Sequence, residues 1–590
     1  MTYRHFKNEG WLYLLAFLIA LGLRFIQLGS MPLTDVEAEP ALQALHLAQG
    51  LRPTLSPHPF YILSTSILFF LYGAGTDFLA RLISAFAGSV LVFAPLLFER
   101  IKPRPGLILA FFIALDPGLT ALSRQVASPI LAITFLIFAW GFFSRNKPSL
   151  AGFFAALALL SGPSIWTGIL GLGITWAINQ GLQLRRSSKP ATDLETISTD
   201  STTTDYASHI PYHESPITDY RTTLRSALLP FIITFITAGT LFFIAPNGIS
   251  AALASIPAFI NSWLITSDVP PNRLFLSLLV YQPLTFLLAL LVIIRGWRRG
   301  STLIIPLSIW FLVSLLLAVF IPSRQVTDLA WVLVPLCVLA ALELVRNVDI
   351  LPEERNEVGG VIFLTAFIWV FAWLDFSGMV WIPSDTREYV TRYWLFIGAL
   401  FLLVLSLLLV AAGWSMRIAR LGGVLGLALA LGVLGFGGTL GSAGLRGLAF
   451  PELWWSPSIP MQAHLLESTV RDLSEWGTGD DFSAPVIIVG LDSPALEWTL
   501  RAHHVSVVEA LDISTSPSLV VTSIQTDPVL VSAYRGQDFN WRQTPMWNET
   551  LPNDWIRWIT LREMPQSGET IILWARDDLF IDSVPEVTTP

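Results

Sequence analysis

Pro32-Leu33-Thr34-Asp35-Val36-Glu37-Ala38-Glu39 follows directly on the apolar run Trp11 to Ile26, so three carboxylates stand at the end of a stretch long enough to enter a bilayer. Ionised groups beside hydrocarbon are expensive, and their presence there marks a functional site before it marks anything else. From Glu37 the apolar positions Ala38, Ala41, Leu42, Leu45 and Ala48 recur at helical spacing, with Glu39, Gln43 and Gln49 on other faces. The spacing predicts an amphipathic helix on the membrane surface, ended by Gly50. Asp35 stands two residues before it, either as an N-terminal cap or as a working acid.

The rest of the chain repeats the apolar theme. Of 590 residues, 53% are hydrophobic and only 13% charged, and the mean hydropathy is +0.62. That apolar surface exceeds what a soluble core uses, and it comes in runs of about 17–25 residues. Clear spans fall at about 11–28, 78–98, 106–122, 126–143, 227–246, 273–294, 301–321, 328–345, 358–374, 393–413 and 421–440. The run 150–178 is too long for one crossing and is broken at Ser161-Gly162-Pro163-Ser164. The short run Pro59 to Tyr72 is placed in the interface, which keeps Arg100, Lys102, Arg104, Arg145 and Lys147 on the inner side.

About thirteen spans result, with the N-terminus cytoplasmic and the C-terminus outside. Each inner loop then carries basic residues, including Arg185 with Arg186, Arg295 with Arg298 and Arg299, Arg346 with Arg355, and Arg417 with Arg420. The first apolar run lacks a small-residue cleavage site and reads as a retained helix in a multi-pass plasma (inner) membrane protein. The Ser/Thr/Asp-rich stretch from Ser187 to Thr223 reads as a disordered cytoplasmic linker within 180–226. Cys337 is the only cysteine and lies in an apolar run, which excludes an internal disulfide. The net charge of -8 points to no nucleic-acid partner.

After Gly441 the composition becomes polar and aromatic. Strand-like runs at Val486 to Val489, Val505 to Val508, Leu519 to Thr522 and Thr570 to Leu573, with helical segments His464 to Trp476 and Pro494 to Arg501, predict a small extracytoplasmic α/β domain over 441–590. Trp541, Trp547, Trp555 and Trp558 read as core or as sugar-stacking residues. Asn548-Glu549-Thr550 spells a glycosylation sequon.

The first outer loop, 29–59, resembles that of membrane glycosyltransferases of the GT-C fold, most closely protein O-mannosyltransferases and lipid A aminoarabinose transferases. The likeness lies in an acidic pair near Pro32-Leu33, a small-residue amphipathic helix, Gly50, and then Arg52-Pro53. Phe78-Leu79-Ala80-Arg81-Leu82-Ile83-Ser84-Ala85, Pro117 with Ser123-Arg124, and Pro322-Ser323-Arg324 ahead of Pro335 are similar to later motifs in the same order. They cover about 1–345, leaving 346–440 as additional spans. Two departures stand out. The family's adjacent Asp-Glu is here Asp35-Val36-Glu37, so either acid matches the catalytic position, and its basic-Pro-Pro turn is here His58-Pro59-Phe60.

The resemblance implies inverting transfer of a sugar from a polyprenyl-phosphate donor to an acceptor hydroxyl on the outer face. The acceptor is a lipid, glycan or protein that the sequence does not identify. Asp35, then Glu37, is the expected base. Arg324, Arg124 and His58 are the expected phosphate contacts, with lipid headgroups as the competing partners of the arginines and a turn cap as the competing role of His58. Arg81 is expected to brace the first loop through an acid, Asp116 to pair with Arg124 or Arg81, and Glu39 to face solvent. No nucleotide-binding loop, cofactor motif or spaced metal-ligand set appears. A lipid-linked sugar transporter and a catalytically silent scaffold remain the alternatives.

Overall fold

The computed structural model describes residues 6–187, 220–456, 458–512, 516–526 and 528–583. The expected linker therefore lies, over 188–219, outside the described residues. Before it come α1 (Phe6–Phe25), α2 (Asp35–Ala48), α3 (Pro59–Tyr72), α4 (Asp77–Val90), α5 (Arg104–Leu115), α6 (Pro117–Ser123), α7 (Ile130–Ser144), α8 (Pro148–Leu159) and α9 (Ser164–Ser187). After it come α10 (Tyr220–Gly239), α11 (Asn247–Asn261), α12 (Pro271–Tyr281), α13 (Pro283–Arg299), α14 (Ile304–Phe320), α15 (Ala330–Val345), α16 (Arg355–Gly378), α17 (Arg387–Gly413) and α18 (Met416–Ser442). Five helical runs are individually long and apolar enough to cross a bilayer, or seven if each of two bent pairs is one span. The chain is a multi-pass membrane protein with an extramembrane sheet domain.

Those bent pairs correct two expectations. The single spans anticipated over 106–122 and 273–294 are each two helices, α5 with α6 bent by 58° and α12 with α13 bent by 98°. Both breaks fall before a proline, Pro117 and Pro283, whose ring and missing N–H interrupt the helical ladder. In lipid the freed carbonyls need donors. Arg24 of α1, fully buried, donates to Ile113 O at 3.0 Å and Ala114 O at 3.2 Å. Thr439 and Ser442 of α18 donate to Leu115 O and Pro117 O. The outer loop expected over 247–272 also differs, because α11 occupies most of it.

Beyond α18 lie β1 (Ile459–Pro460), α19 (Ala463–Thr478), β2 (Val486–Val489), α20 (Pro494–Thr499), β3 (Val505–Val508), β4 (Leu519–Ser523), β5 (Tyr534–Pro545), α21 (Pro552–Leu561) and β6 (Gln566–Arg576). They form one mixed sheet of order β1-β5-β6-β4-β2-β3, parallel where β2 meets β3 and β4 and antiparallel elsewhere. The pairing of β5 with β6 shifts register between Asn540 and Arg542. Such a bulge re-aims side chains: Trp541 is buried in the core, while Arg542 extends to the membrane domain.

The domain is bolted to the bundle. Trp498 of α20 donates to Asp77 Oδ1 at 2.6 Å and packs against Phe69 of α3 at 5.9 Å. Arg501 donates to Gly75 O at 2.9 Å. Deeper in the junction, buried Glu452 accepts from the Tyr281 hydroxyl and lies within 3.7 Å of Arg446 and 3.6 Å of Arg562.

Candidate active site at the junction of bundle and outer domain

Helix α2 starts at Asp35 because Thr34 is its N-cap and Glu37 folds back. Glu37 Oε2 accepts the Thr34 N–H at 3.3 Å and hydroxyl at 3.4 Å, an arrangement that satisfies donors left open at a helix start. Asp35 occupies the first helical turn itself, so the expected capping role falls to Thr34. Ala38, Ala41, Leu42, Ala44 and Leu45 are buried, and Asp35, Val36, Glu39 and Pro40 stand on the wall of a cavity of about 760 Å³. That volume lies in the usual range for a small-molecule site. The cavity opens between the bundle and the C-terminal sheet domain, and Glu37, His58, Arg81, Arg124, Arg273, Gln325 and Trp547 also line it.

Glu37 is fully engaged. Arg81 of α4 grips it with a two-point fork, Nε to Oε1 at 3.1 Å and Nη2 to Oε2 at 2.7 Å, and the Val126 N–H adds a third contact at 3.1 Å. The remaining Arg81 donors go to Met31 O at 2.6 Å and Pro32 O at 3.2 Å. Both side chains are buried, so this pair sets the path of the loop entering α2.

Asp35 is held from the opposite direction, by the outer domain. Its Oδ1 accepts the Ser493 hydroxyl at 2.7 Å and the Ala495 N–H at 3.1 Å at the start of α20. Its Oδ2 pairs with Arg542 Nη2 at 2.7 Å, and Arg542 also bonds Glu569 at 3.1 Å. Glu39 differs from both. It is exposed to the cavity, and among the described residues its carboxylate meets only the Gln43 amide, Nε2 to Oε1 at 3.4 Å. Gln43 is in turn fixed by the Ser56 N–H at 2.7 Å. The solvent that Glu39 faces is that of the cavity, because the helix phase carries it round to the same side as Asp35.

The cations also distribute unlike the sequence reading. Arg124 lines the cavity, yet its guanidinium serves the C-terminus of α1, donating to Leu23 O, Arg24 O, Ile26 O and Gln27 O at 2.8–3.2 Å. These are carbonyls a helix end leaves without partners. Arg324 is outside the cavity wall, donating to Val319 O at 2.9 Å and Val269 O at 3.2 Å. Arg273, overlooked in the sequence, enters the cavity from the first turn of α12. It is buried, it donates to Asn548 Oδ1, and its Nε has no partner. A cation at the positive end of a helix is unfavourable unless something offsets it, which is the signal that points to it.

His58 lines the cavity beside Gly162, where a Cβ would stand 2.4 Å from the ring and φ is +119°. Burial pushes the imidazole down from 6.5 to about 4, so the ring is neutral near pH 7. Asp116 pairs with neither Arg124 nor Arg81. It caps α6, accepting Leu119 N–H at 2.8 Å and the Gln282 amide at 3.3 Å, and so ties the two helix breaks together. Asn548 of the sequon is occupied by Arg273 and by Asp268 O at 3.0 Å. Trp547, Trp555 and Trp558 pack on one another at 5.4–5.7 Å. Among the described residues no three His, Cys, Asp or Glu converge as metal ligands would.

No family model matches this sequence. No curated protein matches it either. Among solved structures the chain is similar to ArnT from Cupriavidus metallidurans bound to undecaprenyl phosphate, at 13% identity and TM-score 0.48, over 87% of this chain and 93% of that one. The apo state of the same protein is similar at 14% identity and TM-score 0.48, over 88% and 94% of the two chains.

Proposed function

We propose that the chain is a GT-C type membrane glycosyltransferase that moves a sugar from a polyprenyl-phosphate donor to an acceptor hydroxyl on the extracytoplasmic face, with inversion. The observation that carries this reading is one cavity, about 760 Å³, into which α2 presents acids and α12 presents a buried arginine with an unused donor. Such a reaction needs a carboxylate to receive the acceptor proton and a cation to stabilise the departing phosphate. The ordered motifs of 1–345 support the same chemistry, and a topology of about thirteen spans with a cytoplasmic N-terminus puts the cavity outside.

In this scheme the base is a carboxylate of α2, with Asp35 and Glu37 marked by the motif. Each is paired with an arginine. Arg273 faces the phosphate, with Arg124 behind it as support for the wall, while His58 contributes an uncharged edge. Asp35→Asn and Glu37→Gln, assayed separately for transfer from polyprenyl-phosphoryl sugars, test the scheme. Loss of transfer in either, with the fold intact, supports it, and absence of transfer by the wild-type chain overturns it.

One observation favours a second reading, translocation of a lipid-linked sugar. Two discontinuous helices touch at their breaks through Asp116 and Gln282, the kind of interruption that transporters place at binding sites. A vesicle assay for movement of the same lipids between leaflets separates the two readings.

A further inference from the structure

Three carboxylates of α2 border the cavity, and their occupancy differs sharply. Glu37 receives both arms of Arg81 and a backbone N–H. Asp35 receives a hydroxyl, a backbone N–H and Arg542. Glu39 receives one weak amide contact at 3.4 Å, and among the described residues no cation reaches it. A general base must offer a lone pair to the hydroxyl it deprotonates, in reach and aimed at the substrate. Glu37 and Asp35 are each aimed at an arginine and at backbone donors, whereas the Glu39 carboxylate is aimed at the cavity with no such partner among the described residues.

Helix geometry places Glu39 four residues after Asp35, one turn further along the same face. Its neighbours prepare it for such work. The Ser56 N–H fixes the Gln43 carbonyl at 2.7 Å, which orients the Gln43 amide toward Glu39 Oε1 and leaves Oε2 open. Glu39 is exposed to the cavity while Arg273, with its unpartnered Nε, borders the same space.

We propose that Glu39 is the base of this site, oriented by Gln43, and that Asp35 and Glu37 are positioning residues that fasten α2 to the outer domain and to α4. The inference rests on the glycosyltransferase reading and refines it. In the step, the acceptor oxygen forms a bond to the anomeric carbon and its proton passes to Glu39 Oε2. The bond from that carbon to the phosphate oxygen breaks, its electron pair leaves with the polyprenyl phosphate, and Arg273 receives the charge. Glu39 then returns its proton to water.

The test uses the chain in lipid nanodiscs, a panel of polyprenyl-phosphoryl hexoses and pentoses as donors, a membrane extract containing lipids, glycans and proteins as acceptor, and released polyprenyl phosphate as readout. Glu39→Gln is expected to lower kcat by about 10²–10⁴-fold with KM for the donor little changed, and to remove the acid limb of the rate profile from the residual activity. Gln43→Leu is expected to reduce kcat less while keeping that limb. Glu39 is exposed, so the variant folds, and an unchanged melting temperature verifies this. Wild-type turnover in Glu39→Gln at unchanged melting temperature overturns the assignment and leaves the enzyme reading standing. No transfer by the wild-type chain from any donor of the panel takes down both.

Discussion

Helices α2 and α17 are both rich in apolar residues, yet they are held in opposite ways. Seven of the 14 residues of α2 are buried, Glu37 among them, and its two engaged acids reach partners on α4 and in the outer domain. Of the 27 residues of α17 only Ala399 and Leu403 are buried, and Leu405, Leu408 and Leu409 are exposed. Lipid tails are as apolar as leucine, so a span such as α17 gains little from protein neighbours. A rim helix beside polar groups is fixed instead by hydrogen bonds and charge pairs, which tolerate few substitutes. The contrast assigns stability and site geometry to α2 and its partners, and membrane residence to α17.

The largest loss belongs to Arg81→Ala, which strands Glu37 as a buried unpaired charge and costs about 3–5 kcal/mol. It should give the steepest fall in melting temperature in detergent, and a small fall would mean that water already reaches the pair. Gly162→Val follows. Its Cβ meets the His58 ring at 2.4 Å and its φ is +119°, so overpacking and backbone strain together cost about 2–4 kcal/mol. Asp35→Asn weakens the clasp on α20 and Arg542 by about 1–3 kcal/mol, and faster limited proteolysis between α18 and α19 would report the loosened domain.

A pH effect comes next. The His58 pKa in the fold, about 4, is below its ordinary 6.5, so above about 6.5 both folded and unfolded chains hold a neutral ring and stability is complete. As pH falls from there toward 4, only the unfolded chain gains the proton and stability declines. The decline should flatten in His58→Gln, as read from melting temperatures across that range. Least of all, Leu409→Ala on the exposed face of α17, 62% accessible, should change stability by under ~0.5 kcal/mol. A larger change would show that protein rather than lipid covers that face.

Much of this architecture is local and therefore readable. Apolar run lengths locate most helices, and the break at Ser161-Gly162-Pro163 separates α8 from α9. The spacing of Ala38, Ala41, Leu42 and Leu45 fixes the buried face of α2. Dense β-branched runs mark β2, β3 and β4. By contrast β5, reading Tyr-Arg-Gly-Gln-Asp-Phe-Asn-Trp-Arg-Gln-Thr-Pro, is polar along most of its length and exposed from Arg535 to Asp538, so it carries no apolar signature and goes unnoticed. Helix α21 is missed in the same way, because it is only 10 residues long and Trp558 alone is buried on it.

Run length, periodicity and composition are properties of neighbouring residues, and they suffice to specify a membrane bundle, a C-terminal domain that carries strands, and a cluster of acids after the first apolar run. What each acid does is settled elsewhere, by the docking of elements far apart in the chain. Asp35 meets Ser493 across 458 positions of chain, and Glu37 meets Arg81 across 44. Glu39 is left open because, among the described residues, no cation is packed against it. Which donors reach which oxygen depends on how those distant pieces come together, and no local pattern along the chain records that.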